Sequence, residues 1–377
     1  MAKRNNLISI LNDQNEYENL KTLKILKDKV HIIYYMYQKV IEDIKRNLGE
    51  NKDLNRKYLI SQIEIYKTHE YSTEIIKEIS RMIWECLTPE EQEEFARIVE
   101  EENPIKEVLI EAEFYIQNND YKKALEKLDS FLKTHPKLYE NDRINEYHSF
   151  SNPLEELIFN EYVGCEKEIR YIPDNQPLED LYYAYGFLLR DASRLEEAEI
   201  ALKESLKLNP VSTKIILELC DIYKMRTPTF NKFYFYTMDA LKYAYSGYEL
   251  AKCYRNLGFY YYEENNIELA LACYKYSIKY EKDYFTQERI EQLESNYNII
   301  LNEENCEELL KSKHIKLEPD SFIMENLERL AVEYEDDDLL NQSLFFYRLL
   351  YSIKKEEKIF DKIKQLDFKT RMNKRKI

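Results

Sequence analysis

AKCYRNLGFYYYEENNIELALACYKYSIKYEKD, residues 251–283, is the stretch that decides the fold. Gly258 is followed by Ala270, Tyr274, Ser277 and Lys282, at offsets of twelve, sixteen, nineteen and twenty-four residues. The same offsets recur from Gly186 in PLEDLYYAYGFLLRDASRLEEAEIALKESLKLNP, residues 177–210, where they fall on Ala198, Leu202, Ser205 and Pro210. One helix repeats its faces about every 3.6 residues, so a schedule this long describes a pair of helices used as a unit. Small residues let the two antiparallel helices approach at their crossing, while aromatic and large apolar positions fill the space between one pair and the next. Gly186, Gly258 and the alanines are therefore frame and not site.

The schedule appears again in PIKEVLIEAEFYIQNNDYKKALEKLDSFLKTHP, residues 104–136, through Ala112, Tyr115, Ala124, Leu128 and Pro136, with Phe131 departing at a small position. Two weaker copies follow. Ile216, Leu219, Cys220 and Tyr223 open one whose second helix, around Ala240, Ala244 and Gly247, arrives eight residues late, so RTPTFNKF, residues 226–233, lengthens the turn. Leu327, Leu330, Ala331, Tyr334, Ser343, Tyr347 and Leu350 make the last. On these residues the chain resembles tetratricopeptide (TPR) repeat proteins over roughly residues 104–357. The resemblance implies an all-α fold: a right-handed TPR-type α-solenoid of antiparallel helix pairs, preceded by an N-terminal helical bundle or cap. The division expected is a helical region at 1–103, the array at 104–360 and a basic tail at 361–377.

In proteins of this kind the first helix of each pair faces a concave groove. Carried onto this chain, that geometry selects Asp180, Tyr183, Phe187 and Arg190, then Lys214, Leu217, Asp221 and Lys224, then Lys252, Arg255, Phe259 and Tyr262. Five of the twelve are basic and two acidic in a chain of net charge −16. The expectation is a peptide-binding groove in which Arg190, Lys214, Lys224, Lys252 and Arg255 supply charge and Tyr183, Phe187, Phe259 and Tyr262 supply area, matched to an acidic segment. The alternative for each cation is a solvated charge paired with a neighbouring acid. TPR modules that clamp chaperone carboxylates use a Lys, Asn and Arg set, of which only Lys252 and Asn256 resemble fragments.

Outside the copies, Leu20, Leu23, Leu26, Val30, Ile33, Tyr37, Ile41 and Ile44 advance by three or four and predict one amphipathic helix over 16–48. A second is expected from about Asp53 to Leu87. Thr88-Pro89-Glu90-Glu91 then supplies an N-cap, a first-turn proline and early acids for a third. The acidic run from Glu90 to Glu102 reads as a solvated face. Residues 137–176 and 286–321 lack the schedule and are expected to be degenerate helical pairs that preserve stacking, the alternative being a loop across the concave face that contributes to specificity; the former holds a short helix from Asn152-Pro153, the latter helices through Asn302 and near Glu304 to Lys313 before an extended HIKLEP. The tail beyond Phe360 is expected to fray.

Composition narrows the function classes. Five glycines and nine prolines in 377 residues, with 33% charged and 44% hydrophobic, leave little turn chemistry and much helix-forming material. The 34 tyrosines fit a codon bias as readily as a function. The acidic balance argues against an extended nucleic-acid contact, and no segment is long and apolar enough for a signal peptide or a membrane span. A cytoplasmic protein is expected, with another protein or a peptide as partner. Cys86, Cys165, Cys220, Cys253, Cys273 and Cys306 form no CxxC and read as reduced packing thiols. His31, His69, His135, His148 and His314 form no metal-ligand motif, and no phosphate-binding glycine loop or nucleophile elbow occurs. Neither metal, cofactor nor catalytic residue is therefore expected. The leading expectation is a non-enzymatic interaction scaffold. A helical bundle followed by such an array also resembles, in layout, bacterial peptide-responsive regulators that dephosphorylate or sequester response regulators, although no catalytic glutamine of that group aligns onto residues 1–103.

Overall fold

Four helix pairs turn on the same backbone device. Asn119, Ser193, Asn265 and Asp338 each adopt a left-handed conformation, with φ of 57, 60, 57 and 58°. The next amide in each donates to the carbonyl five residues back, Asp120 to Tyr115, Arg194 to Leu189, Asn266 to Tyr261 and Leu339 to Tyr334, at 2.8 to 2.9 Å. This is a Schellman ending, which satisfies the last carbonyls of the first helix and sends the chain back along it. None of the four residues is glycine, so each turn carries some strain.

The computed structural model describes residues 37–69, 71–93, 103–135, 139–173, 175–226 and 230–374. The first pair is Pro104–Gln117 with Tyr121–Thr134, the second Leu178–Asp191 with Leu195–Leu208, and the third Thr213–Lys224 with Phe230–Tyr243. Gly247–Glu263 with Ile267–Tyr280 makes the fourth, and Ser321–Asp336 with Leu340–Lys354 the fifth. Successive pairs stack, giving an all-α solenoid of antiparallel helix pairs. The sixteen-residue offset is the point of closest approach: a Cβ on Gly186 would sit 2.7 Å from Leu202 Cγ, and one on Gly258 would sit 2.9 Å from the Tyr274 ring. Ala198, Ala270, Ser205 and Ser277 are all fully buried at the same crossings. Four of the six cysteines, Cys220, Cys253, Cys273 and Cys306, are buried in the stack, and all six are free thiols. Among the described residues no helix is long and apolar enough to cross a membrane.

The chain forms two compact units. The larger holds residues 107–135, 149–164 and 177–377; the smaller gathers 1–106, 136–148 and 165–176. In the smaller unit residues 37–46 are helical, and Tyr37, Ile41 and Ile44 close a core with Leu59, Ile75, Ile79, Met82 and Ile144. The rest of the helix expected over 16–48 lies outside the described residues. The single helix expected from Asp53 to Leu87 is instead two, Lys52–Tyr66 and Ser72–Cys86. The chain turns between them at His69, whose amide donates to the Tyr66 carbonyl. Thr88 caps the next helix as expected, with reciprocal bonds from Thr88 N to Glu91 Oε2 and from Glu91 N to Thr88 Oγ1. Residues 94–102, most of the acidic run, lie outside the described residues.

Residues 137–176 are not a degenerate helical pair. Strands β1, Asn145–His148, and β2, Glu168–Tyr171, pair in parallel from Asn145 opposite Glu168 to His148 opposite Tyr171. The helix Pro153–Tyr162 lies between them in sequence, capped by the Asn152 side chain on Leu154 N and Glu155 N. Residues 286–321 come closer to expectation, as Tyr284–Tyr297 and Glu303–Ser312, but each packs on Ile267–Tyr280. The tail is helix where fraying was expected. Glu357–Lys374 continues the stack because Ile363 and Leu366 bury against Leu340 and Leu344 of the fifth pair.

Candidate functional site

The groove residues expected from the sequence all belong to the first helices of the second, third and fourth pairs, and the structure divides them by how they are occupied. On the second pair and at the start of the third, Arg190 and Lys214 each already have an acid. Arg190 pairs with Glu218, with Asp191 at 2.9 Å and with Asp221 at 3.6 Å. Its guanidinium also covers the Phe187 ring at 4.6 Å. Lys214 lies 3.8 Å over the Tyr183 ring and 3.4 Å from Asp180. Burial pushes Glu218 upward in pKa, with Arg190 pulling against it. Leu217, expected on this face, is instead fully buried in the core.

The fourth pair begins in the same way. Lys252 bonds Asp221 at 3.0 Å, and Arg255 bonds Glu281 at 2.9 Å. Burial works against the Lys252 proton, yet Asp221 and Glu218 together hold its pKa above the usual value.

Beyond them the pattern changes. Asp221, Lys224, Tyr248, Lys252, Arg255, Asn256, Phe259, Tyr274, Asp283, Phe285, Thr286 and Arg289 line one cavity of about 490 Å³. Lys224 makes no ion pair among the described residues. It rests 4.1 Å over the Phe259 ring, and desolvation there, with Lys252 nearby, lowers its pKa. Arg289 likewise has no carboxylate partner among the described residues and covers Tyr262 at 4.1 Å. Burial pushes the Tyr274 hydroxyl up to about 12. Asn256 is 4% exposed, and its Nδ2 finds no hydrogen-bond partner. A buried amide donor without an acceptor costs about 1–3 kcal/mol, so its place in the wall of a charged cavity is a chemical clue.

Arg289, Phe285 and Asp283 escaped the sequence reading because they begin a helix in the stretch that breaks the schedule. The signal available was the N-cap: Asp283 accepts from Thr286 N at 2.8 Å and starts Tyr284–Tyr297 beside the fourth pair. Among the described residues no group of His, Cys, Asp and Glu side chains is arranged to hold a metal ion. The fold is a helix-pair solenoid, and this cavity is lined by four cations, two aspartates and the rings of Tyr248, Phe259, Tyr274 and Phe285. No protein-family model matches the chain, and no curated protein matches it in sequence.

Proposed function

We propose that the chain is a non-enzymatic binding protein of the tetratricopeptide kind, whose groove holds an acidic segment of another protein or a peptide. The observation that carries this reading is the meeting of Lys224, Arg289 and Asn256 in one cavity: among the described residues, two cations without carboxylates and a buried amide without an acceptor. An extended acidic segment offers what each lacks, carboxylates for the cations and a backbone carbonyl for the amide. The Phe259 and Tyr262 faces beneath the two cations supply apolar area once a ligand draws the cations to itself.

Lys252 and Arg255 fit the same reading as walls, although their charges are engaged by Asp221 and Glu281. Fluorescence anisotropy with labelled acidic peptides tests it. Lys224→Glu with Arg289→Glu should weaken binding by at least about a hundredfold, since each of the two charge-assisted contacts contributes about 1.5–3 kcal/mol. Peptides with Asp and Glu replaced by Asn and Gln should lose affinity equally. Unchanged binding by the double variant would refute the groove assignment.

A further inference from the structure

Three carboxylates lie buried in the larger unit without a cation on any of them. Glu155 is 2% exposed, Glu179 5% and Glu249 9%. None forms an ion pair among the described residues, and Lys214, a cation facing Glu179, pairs with Asp180.

Glu155 and Glu249 are tied into one knot through Tyr245, and Glu179 joins it as a like charge facing Glu155. Glu155 accepts from Ser151 N at 2.7 Å, from Asn209 Nδ2 at 2.8 Å and from the Tyr245 hydroxyl at 2.9 Å. Asn152 Nδ2 donates to that same hydroxyl. The Tyr245 amide in turn donates to Glu249 at 3.0 Å, as does Ser246 N in the capping box that starts the Gly247–Glu263 helix. Glu155 faces both Glu179 and Glu249 as a like charge. One tyrosine thus links the helix Pro153–Tyr162 to the helix that carries Lys252, Asn256 and Phe259.

The knot is short of donors: Glu179 Oε1 and Asn209 Oδ1 are buried, find no hydrogen-bond partner among the described residues, and can only accept. A proton on Glu179 converts one acceptor into a donor and removes a charge that repels Glu155. Burial, then Asp180 and Glu155, push Glu179 up to about 8, with Lys214 opposing. Burial pushes Glu249 up to about 7 against the bonds from Tyr245 and Ser246.

We propose that this knot is a proton-sensing latch: it holds a proton near neutral pH, and its deprotonation loosens the start of the groove helix Gly247–Glu263. As regulation of the groove this rests on the binding reading above; as a property of the knot it does not. The folded state binds protons that the unfolded chain releases near the ordinary glutamate range, so protection falls as pH rises between that range and the raised values, and the loss is complete above them.

Hydrogen exchange read by mass spectrometry over residues 149–164 and 245–256, corrected for intrinsic rates, tests the latch between pH 6 and pH 8. The opening constant should rise by up to about tenfold per pH unit for each proton held. Glu179→Gln should flatten that rise. Glu249→Gln, which keeps a side chain able to cap, should reduce it further in combination. A wild-type profile independent of pH, or an unaltered dependence in both variants, overturns the latch. Anisotropy with an acidic peptide should show affinity falling from pH 6 to pH 8 in the wild type and much less in Glu179→Gln. A pH-dependent exchange profile with pH-independent affinity overturns the regulation. If no peptide binds at either pH, the groove reading fails while exchange still decides the latch.

Discussion

The two ends of the groove are built from the same residue types and do different work. At Tyr183, Phe187, Arg190 and Lys214, aromatic rings and cations meet acids supplied by Asp180, Asp191, Glu218 and Asp221. At Lys224, Phe259, Tyr262 and Arg289 the same cation-over-ring arrangement recurs with no carboxylate on either cation among the described residues. The first end spends its charge on holding successive pairs together. The second leaves Lys224 and Arg289 without a carboxylate among the described residues, which is what the proposed ligand would use. Sequence composition is nearly the same at both, so whether a cation is free depends on what the neighbouring pair places opposite it.

The largest effect that tests this contrast is on stability. Glu218→Ala should destabilise the protein by about 1–3 kcal/mol, because it removes a mostly buried partner of Arg190 while Asp191 and Asp221 remain, whereas Lys224→Gln should change stability by less than about 0.5 kcal/mol. Urea denaturation of both variants measures the difference, and equal values would erase the distinction between the two ends. Next come the glycines. Gly186→Ala and Gly258→Ala should each cost about 1–3 kcal/mol by overpacking. Only Gly258→Ala displaces a groove ring, Tyr274, so only it should also weaken peptide binding. Thermal unfolding alongside anisotropy separates the two, and equal binding by both variants would detach Tyr274 from the site.

A smaller change is expected from Lys224→Gln alone, about a tenfold loss of affinity for an acidic peptide, or roughly 1.4 kcal/mol. Raising salt should shrink that loss, because the contact is partly exposed. The smallest effect lies in the frame. Ser193→Gly should stabilise by about 0.4–1 kcal/mol, since glycine adopts the left-handed turn without strain. No gain in the denaturation midpoint would mean that the Ser193 turn stores no strain.

The frame was readable because its causes are periodic. A glycine and the residue sixteen positions on must meet whenever two helices join through the same short turn, and Gly186 meets Leu202 as Gly258 meets Tyr274. The strands were not readable, since NEYH and EIRY are four residues each and too short for alternation to speak. The candidate site was half legible. The positions of Arg190, Lys224, Lys252 and Arg255 on first helices follow from the schedule, but their partners come from other elements: Glu218 lies 28 residues from Arg190, and Asp221 lies 31 from Lys252. Leu217 was misplaced for a related reason, since a first helix packed on both sides has fewer free positions than the repeat alone suggests. The buried acid knot left no trace at all, because Glu155, Glu179 and Glu249 each look like a first-turn acid at a helix start.

The order in which the chain visits its two units sets a condition on how it is made. The smaller unit takes residues 136–148 and 165–176 as well as 1–106, so the stretch that ends at residue 106 cannot finish folding on its own. It must wait for β2, while the Pro104–Gln117 and Tyr121–Thr134 helices, made earlier, are already free to pair. Synthesis from the N-terminus therefore favours closing part of the later unit before the earlier one is complete, the reverse of the usual domain-by-domain sequence. A cut at residue 103 would likewise leave β1 and β2 in the C-terminal fragment without the Tyr37, Ile75 and Ile79 core beside Ile144. The fragment that divides this molecule cleanly is not a contiguous one.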